Sequence, residues 1–195
     1  MAASSLLSPS ALRRNLLIVE DNPADATLLV ESLAESDGPQ IDHCRAVDGI
    51  AAIALLAGPS PFADGAPPHL ILVDLVMPRM DGRTLLQALR ETVGWVDIPI
   101  FVLSSSAQSD DIAECYALGA DDYVAKPGSW DGYRALAATI KRFLSADERG
   151  AAGDPTDTVA ARLRAFAKQT TSAVATSRLV IESSRDCLRY RPRKP

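Results

Sequence analysis

No stretch of this chain is apolar for long enough to cross a bilayer as a helix. Such a span needs about 20 consecutive apolar residues, and Arg, Asp, Glu or Pro interrupts every candidate run, so a membrane-spanning protein is not expected. Cysteine is scarce as well. The three thiols, Cys44, Cys115 and Cys187, are odd in number and far apart, which matches neither a disulfide framework nor paired metal-ligand spacing; they are expected as reduced thiols in the cytoplasm. A secretory leader is not expected, because Arg13 and Arg14 follow the short apolar patch instead of preceding it, and the run at 16–19 is too brief for a signal core. Histidine is limited to His43 and His69, and neither belongs to a metal or catalytic spacing, so both read as structural.

What is present is a globular composition: 47% hydrophobic and 23% charged over 195 residues, without a long charge run. That length suits one ordinary domain with an appendage. Charge divides unevenly. Residues 1–144 hold 10 Lys+Arg against 19 Asp+Glu, and residues 145–195 hold 10 against 6, so a net of −9 precedes a net of +4. An acidic body suits a divalent cation and repels nucleic acid, while a basic tail can touch an acidic surface.

The apolar run at 16–19 stops at Glu20-Asp21-Asn22-Pro23. This reads as a strand ending in a turn, with Asn22 capping a helix that opens on Pro23, where the missing N–H is harmless. Ala26, Leu29, Val30 and Leu33 then recur at helical spacing. The rhythm continues with a strand over 41–47 and a helix through Ala57, then a strand from Leu70 ending on Asp74 and a helix over 83–92 with Leu85, Leu86 and Leu89 inward. A strand over 100–103 ends on Ser104 and leads to a helix over 110–118 closed by Gly119, and a strand over 122–125 ends on Lys126-Pro127 before a helix over 133–144. Strands apolar on both faces, alternating with helices, predict an α/β fold in which helices cover both sides of a parallel sheet. The Pro- and Gly-rich segment 58–68 reads as a surface insertion. Trp95 and Trp130 border loops and are expected to pack.

In such sheets ligands sit outside the carboxyl ends of the strands, near the point where strand order reverses. Glu20, Asp21, Asp74, Ser104 and Lys126 all fall at strand ends. A carboxylate is a poor phosphoryl acceptor in water because it repels the incoming anion, and a metal ion removes that obstacle. Mg²⁺ takes oxygen ligands and keeps several waters, so Glu20, Asp21 and Asp74 form a suitable cluster, with Lys126 and Ser104 able to bind a phosphoryl group. Each residue alone has an ordinary explanation as a cap, a solvated acid, a turn hydroxyl or a surface cation. Their joint occurrence, in this order, favours function.

The runs Leu17-Ile18-Val19-Glu20-Asp21-Asn22, Val73-Asp74-Leu75-Val76-Met77-Pro78-Arg79-Met80-Asp81-Gly82, Val102-Leu103-Ser104 and Tyr123-Val124-Ala125-Lys126-Pro127 closely resemble the receiver domain of two-component response regulators. The resemblance implies a flavodoxin-like (βα)5 doubly wound parallel sheet with strand order 2-1-3-4-5, followed by a C-terminal extension. It implies that Asp74 is the phosphorylation site, that Glu20, Asp21, Asp74 and the backbone carbonyl of Val76 hold Mg²⁺, and that Ser104 and Lys126 bind the phosphoryl group. Ser104 and Tyr123 would be the switch residues, although a strand tyrosine is often simple packing. A sensor histidine kinase would be the phosphate source, and the fourth helix, fifth strand and fifth helix would respond as a contact surface. The protein would then be a phosphoacceptor and not an enzyme in the usual sense. Serine at 104 where threonine is commoner, the long 59–68 loop, and Gly128 where an aromatic is frequent are departures that remove no needed atom. Val76 and Ser106 occupy positions that tune acyl-phosphate lifetime in this family. The Glu20-Asp21-Asn22-Pro23-Ala24-Asp25 turn, the long loop and Leu103-Ser104-Ser105-Ser106 resemble the small regulators paired with bacterial phytochromes, which implies such a kinase as partner and a homodimer.

The expected organisation is an N-terminal extension over 1–14, a receiver domain over 15–144, a linker over 145–157 and a tail over 158–195. In the tail Val159, Leu163, Phe166, Thr170 and Val174 trace an amphipathic stripe flanked by Arg162, Arg164 and Lys168. So few apolar anchors argue against a DNA-binding core. A second reading stays open, a receiver-fold scaffold that is not phosphorylated and binds a protein partner through its basic tail. A phosphohydrolase of the haloacid dehalogenase type would need a second Asp two residues after the nucleophile, where Val76 stands.

Overall fold

The computed structural model describes residues 13–150, with side chains as far as Ser145. Within them β1 (Arg13–Val19), α1 (Pro23–Glu35), β2 (Gln40–Ala46), α2 (Gly49–Ala57), β3 (Leu70–Asp74), α3 (Gly82–Glu91), β4 (Ile100–Ser104), α4 (Ser109–Ala117), β5 (Asp122–Ala125) and α5 (Trp130–Gly150) follow one another. All strand pairings are parallel and the sheet order is β2-β1-β3-β4-β5, the order expected.

The continuous apolar runs have a simple cause. Successive side chains of a strand point to opposite faces, and here both faces are covered. Leu17, Val19, Ile71, Val73, Ile100 and Val102 meet Leu85, Leu86 and Leu89 of α3 and Ile112 and Cys115 of α4. Leu16, Ile18, Leu70, Leu72, Phe101 and Leu103 meet Leu29 and Leu33 of α1 and Leu136, Ala137, Ile140 and Phe143 of α5. Trp95 packs on the first core and Trp130 on the second. Cys115 is fully enclosed in the first, and burial pushes its thiol up to about 11, which leaves it unreactive near neutral pH.

Caps set where the helices begin. Asn22 Oδ1 accepts from the Ala24 N–H at 3.0 Å, Asp48 Oδ1 from Ala51 at 2.8 Å and Asp81 Oδ1 from Thr84 at 2.8 Å. Gly119, at φ 99°, follows the last turn of α4 as its spacing predicts. Three boundaries differ from expectation by more than one residue. β1 begins two residues earlier than the predicted domain start, pairing Arg13 with Gln40. α5 begins at Trp130 because the Ser129 hydroxyl oxygen accepts from the Gly132 N–H at 3.2 Å, and it continues to Gly150, six residues into the segment read as linker. Ala146, Glu148 and Arg149 are good helix formers, so nothing before Gly150 stops the helix. Residues 1–12 and 151–195, with the tail stripe, lie outside the described residues.

The 58–68 insertion is more tightly built than a solvated loop. Phe62 is buried in the first core, and Asn15 of β1, itself buried, donates through Nδ2 to Asp64 Oδ1 at 2.8 Å and to the Pro67 carbonyl at 3.3 Å. The Ala63 N–H adds a bond to Asp42 Oδ2 at 3.0 Å. His69 is structural, as expected: its Nδ1 accepts from the Asn15 N–H at 3.0 Å. No helix among the described residues is long and apolar enough to cross a membrane.

Candidate functional site

β1 connects to β2 on one side, and the next connection carries the chain to β3 on the other, so strand order reverses between β1 and β3. Crevices of parallel sheets open at that place. Glu20 and Asp21 follow β1, Asp74 ends β3, Ser104 ends β4 and Lys126 follows β5. The sheet therefore delivers all five to one edge.

Glu20 and Asp74 are nearly removed from water, at 3% and 6% exposure, while Asp21 is exposed. One oxygen from each of the three lies within 4.8 Å of the others. An all-carboxylate set is a hard donor set, suited to Mg²⁺, Mn²⁺ or Ca²⁺ and unsuited to softer metals that favour nitrogen or sulfur. The turn carrying the acidic pair is fixed by Arg45, which donates to the carbonyls of Glu20 at 2.9 Å and Asp21 at 2.7 Å. Asp74 Oδ1 accepts from the Val76 N–H at 3.2 Å, and Val76 itself is exposed at the rim.

Lys126 is the positive centre of this edge. Its Nζ lies 2.7 Å from Glu20 Oε2, 2.9 Å from Asp74 Oδ2 and 3.0 Å from Asp25 Oδ2. Burial alone would lower the lysine pKa, but the bonds to Glu20, Asp74 and Asp25 outweigh it and hold the ammonium above its usual range. Burial raises the Glu20 carboxyl, Lys126 opposes that, and the neighbouring Asp74 charge adds to it. Sequence reasoning missed Asp25. It stands in the first turn of α1, where an acid has a generic reason to be, favourable interaction with the helix dipole.

Ser104 is fully buried. Its Oγ accepts from the Ser106 N–H at 3.2 Å, and its carbonyl accepts from the Lys126 N–H at 2.8 Å. Tyr123 is turned into the first core, and its hydroxyl donates to the Ser106 carbonyl at 2.9 Å; burial raises its phenol pKa. The Ser106 hydroxyl in turn donates to Asp111 of α4, which pairs with Arg83 of α3. Ser104, Tyr123 and α4 thus share one hydrogen-bonded segment, a link through Ser106 that no sequence spacing announced.

The loop after β3 is held from below by Gly82. Its N–H donates to the Leu75 carbonyl at 3.0 Å, and a Cβ there would lie 2.2 Å from the Asp74 carbonyl oxygen. Within the same loop Arg79 takes a positive φ of 65° and pairs with the buried Asp48 that caps α2.

Residues 16–138 match the sequence model of the response regulator receiver domain. The response regulator Rcp1 of Synechocystis sp. is 36% identical over 113 residues, covering 57% of this chain and 75% of Rcp1. The DNA-binding dual master transcriptional regulator RpaA of the same organism is 38% identical over 112 residues, covering 57% of this chain and 42% of RpaA. Among solved structures, the phosphorylated cyanobacterial phytochrome response regulator RcpA superposes with a TM-score of 0.62 at 34% identity, covering 69% of this chain and 96% of that one. The Mn²⁺-bound form of Rcp1 gives 0.59 at 30% identity, with 68% and 94% covered. Sheet order, an acidic edge at the switch point and a match along most of the described residues agree, and the chain belongs to the response regulator receiver family of two-component signalling proteins.

Proposed function

We propose that a sensor histidine kinase phosphorylates this chain on Asp74 and that the phosphorylated form is the signalling state. The observation that carries the reading is the placement of Asp74: a buried carboxylate 2.9 Å from a lysine ammonium and within a cluster of three acidic oxygens. Glu20, Asp21, Asp74 and the Val76 carbonyl would hold Mg²⁺, which supplies the charge neutralisation that lets a phosphoryl anion approach a carboxylate. The transfer breaks the N–P bond of a phosphohistidine and forms a bond between an Asp74 oxygen and phosphorus, while the departing imidazole nitrogen takes up a proton. Lys126, held protonated by its carboxylate partners, gives the new phosphoryl oxygens a permanent cation.

The Ser104 hydroxyl would respond by turning to a phosphoryl oxygen. Because Ser104 Oγ and Tyr123 both bond residue 106, and Ser106 bonds Asp111, such a turn pulls on α4. The α4-β5-α5 face then changes as a surface for homodimerisation or partner binding. The likeness to regulators named for phytochromes supports a bacterial phytochrome as the kinase, and the acidic receiver supports a protein rather than DNA as the partner of this domain.

Incubated with acetyl phosphate and Mg²⁺, the chain should take up phosphate stoichiometrically in a form that hydroxylamine removes, and should fail to do so with EDTA or as Asp74→Asn. Label persisting in Asp74→Asn would place the acceptor elsewhere. No label from acetyl phosphate or from any kinase would leave a receiver-fold scaffold that acts unphosphorylated. Sedimentation of the same samples at micromolar concentration should show the dimer fraction rising with label, and monomer in both states would sink the dimer reading.

A further inference from the structure

We propose that Asp25 is a positioning residue for Lys126, the one carboxylate of the site committed to the lysine alone; the inference rests on Asp74 being the phosphoacceptor. A lysine ammonium has three N–H donors. Among the described residues Lys126 meets oxygens of Glu20, Asp74 and Asp25 at 2.7, 2.9 and 3.0 Å. Two of those acceptors have a second task, since Glu20 and Asp74 also belong to the metal-suited cluster with Asp21, and Asp25 does not. When the oxygens of Glu20 and Asp74 turn to other charges, Asp25 is the anchor that remains.

Asp25 is itself held in place. It sits in the first turn of α1, just after the Asn22 cap and Pro23, which fix its backbone. An acid serving only the helix dipole would not need to reach across to the lysine after β5, as Asp25 does at 3.0 Å. A lysine side chain is long and has many rotamers. Pinned by one donor, it presents the other two toward the carboxyl edge, where the phosphoryl group is to sit.

The test uses the full chain as wild type, Asp25→Ala, Asp25→Asn, Lys126→Ala and the double variant Asp25→Ala/Lys126→Ala. With acetyl phosphate and saturating Mg²⁺, Asp25→Ala should label Asp74 roughly ten- to hundredfold more slowly, the scale expected when a catalytic group is misplaced by about 1 Å. In the Lys126→Ala background the same substitution should change the rate by less than about twofold. Equal slowing in both backgrounds would mean that Asp25 merely stabilises the start of α1, and would overturn the proposal. The isosteric Asp25→Asn repeats the comparison should the alanine variant fold poorly. A second readout needs no phosphorylation. With Mg²⁺ saturating and no phosphoryl donor, the ¹⁵N ammonium signal of Lys126 should be sharp in wild type and broadened by exchange with water in Asp25→Ala. An unchanged signal also overturns the proposal. A wild-type chain that never labels would count against Asp74 as acceptor, and the ammonium signal would still decide the role of Asp25.

Discussion

Lys126→Ala should destabilise the metal-free protein by about 3–5 kcal/mol, the range for removing one partner from buried charges. Glu20 and Asp74 are almost without solvent and share the Lys126 ammonium with Asp25. Without it, acidic groups face one another across a few ångströms. The effect has a definite pH dependence. Burial already raises the Glu20 carboxyl above its ordinary 4.5, and Lys126 is the main influence opposing that rise. A carboxyl whose folded pKa exceeds its unfolded value favours the folded state below the unfolded pKa, and the advantage is lost as pH rises through the folded value. Removing Lys126 widens this window upward from 4.5. The stability gap between variant and wild type should therefore be largest near neutral pH and should shrink as pH falls through the raised Glu20 value. Urea denaturation across pH measures the gap directly. A divalent cation should also narrow it, by binding the folded acidic cluster in preference to the unfolded chain. A gap that is the same at every pH would mean that the carboxylates are not coupled to the lysine.

Gly82→Ala should have an effect of similar size through sterics alone, about 3 kcal/mol for overpacking against unyielding atoms. The added Cβ would lie 2.2 Å from the Asp74 carbonyl oxygen, 2.8 Å from Leu75 Cα and 3.0 Å from the Asp74 carbonyl carbon. These are backbone atoms of a fully buried strand end, so no side chain can swing aside. Either α3 backs away from β3 or the end of β3 shifts and takes the Asp74 carboxylate with it. The variant should melt at lower temperature and label more slowly. Gly128→Ala is the matched control: a Cβ there meets nothing within 4 Å, and a change within about 0.5 kcal/mol is expected. Equal stability of the two variants would show that α3 does not rest on Asp74.

The contrast between these two glycines shows what a linear reading can reach. Asp81-Gly82 is legible as a turn and helix start, and Asp81 does cap α3. That Gly82 touches the backbone of Asp74 is not legible, because the contact depends on how α3 returns over β3. Strand positions were readable because two-sided burial leaves an uninterrupted apolar run, and parallel pairing then makes the strand ends coincide. That logic brings Glu20, Asp74 and Lys126 to one edge, and their expected roles come from the resemblance. Asp25 escaped it because helix position explains an acid there equally well. The insertion is the surface segment its composition predicts, but its anchoring is not legible: Phe62 enters the core and Asn15 reaches Asp64 and Pro67 from β1, across an interval of 49 to 52 residues where no periodicity operates. The start of α5 was placed late because Trp130 and Gly132 resemble a loop until the Ser129 cap is seen.

The length of α5 has a mechanical consequence. Its first residue stands four positions from Lys126, and its 21 residues extend about 31 Å from there. Its near end, Trp130 and Tyr133, packs on the second core beside α1, the helix whose Asp25 meets Lys126. The core grips the helix from Tyr133 to Leu144, with Arg14 Nε donating to the Leu144 carbonyl at 3.0 Å, so that stretch is tied to β1 and α1, and only the residues after it, about 9 Å of helix to Gly150, project past the core. Whatever follows Gly150 is therefore joined to the sheet by a continuous helix and not by a hinge at residue 145.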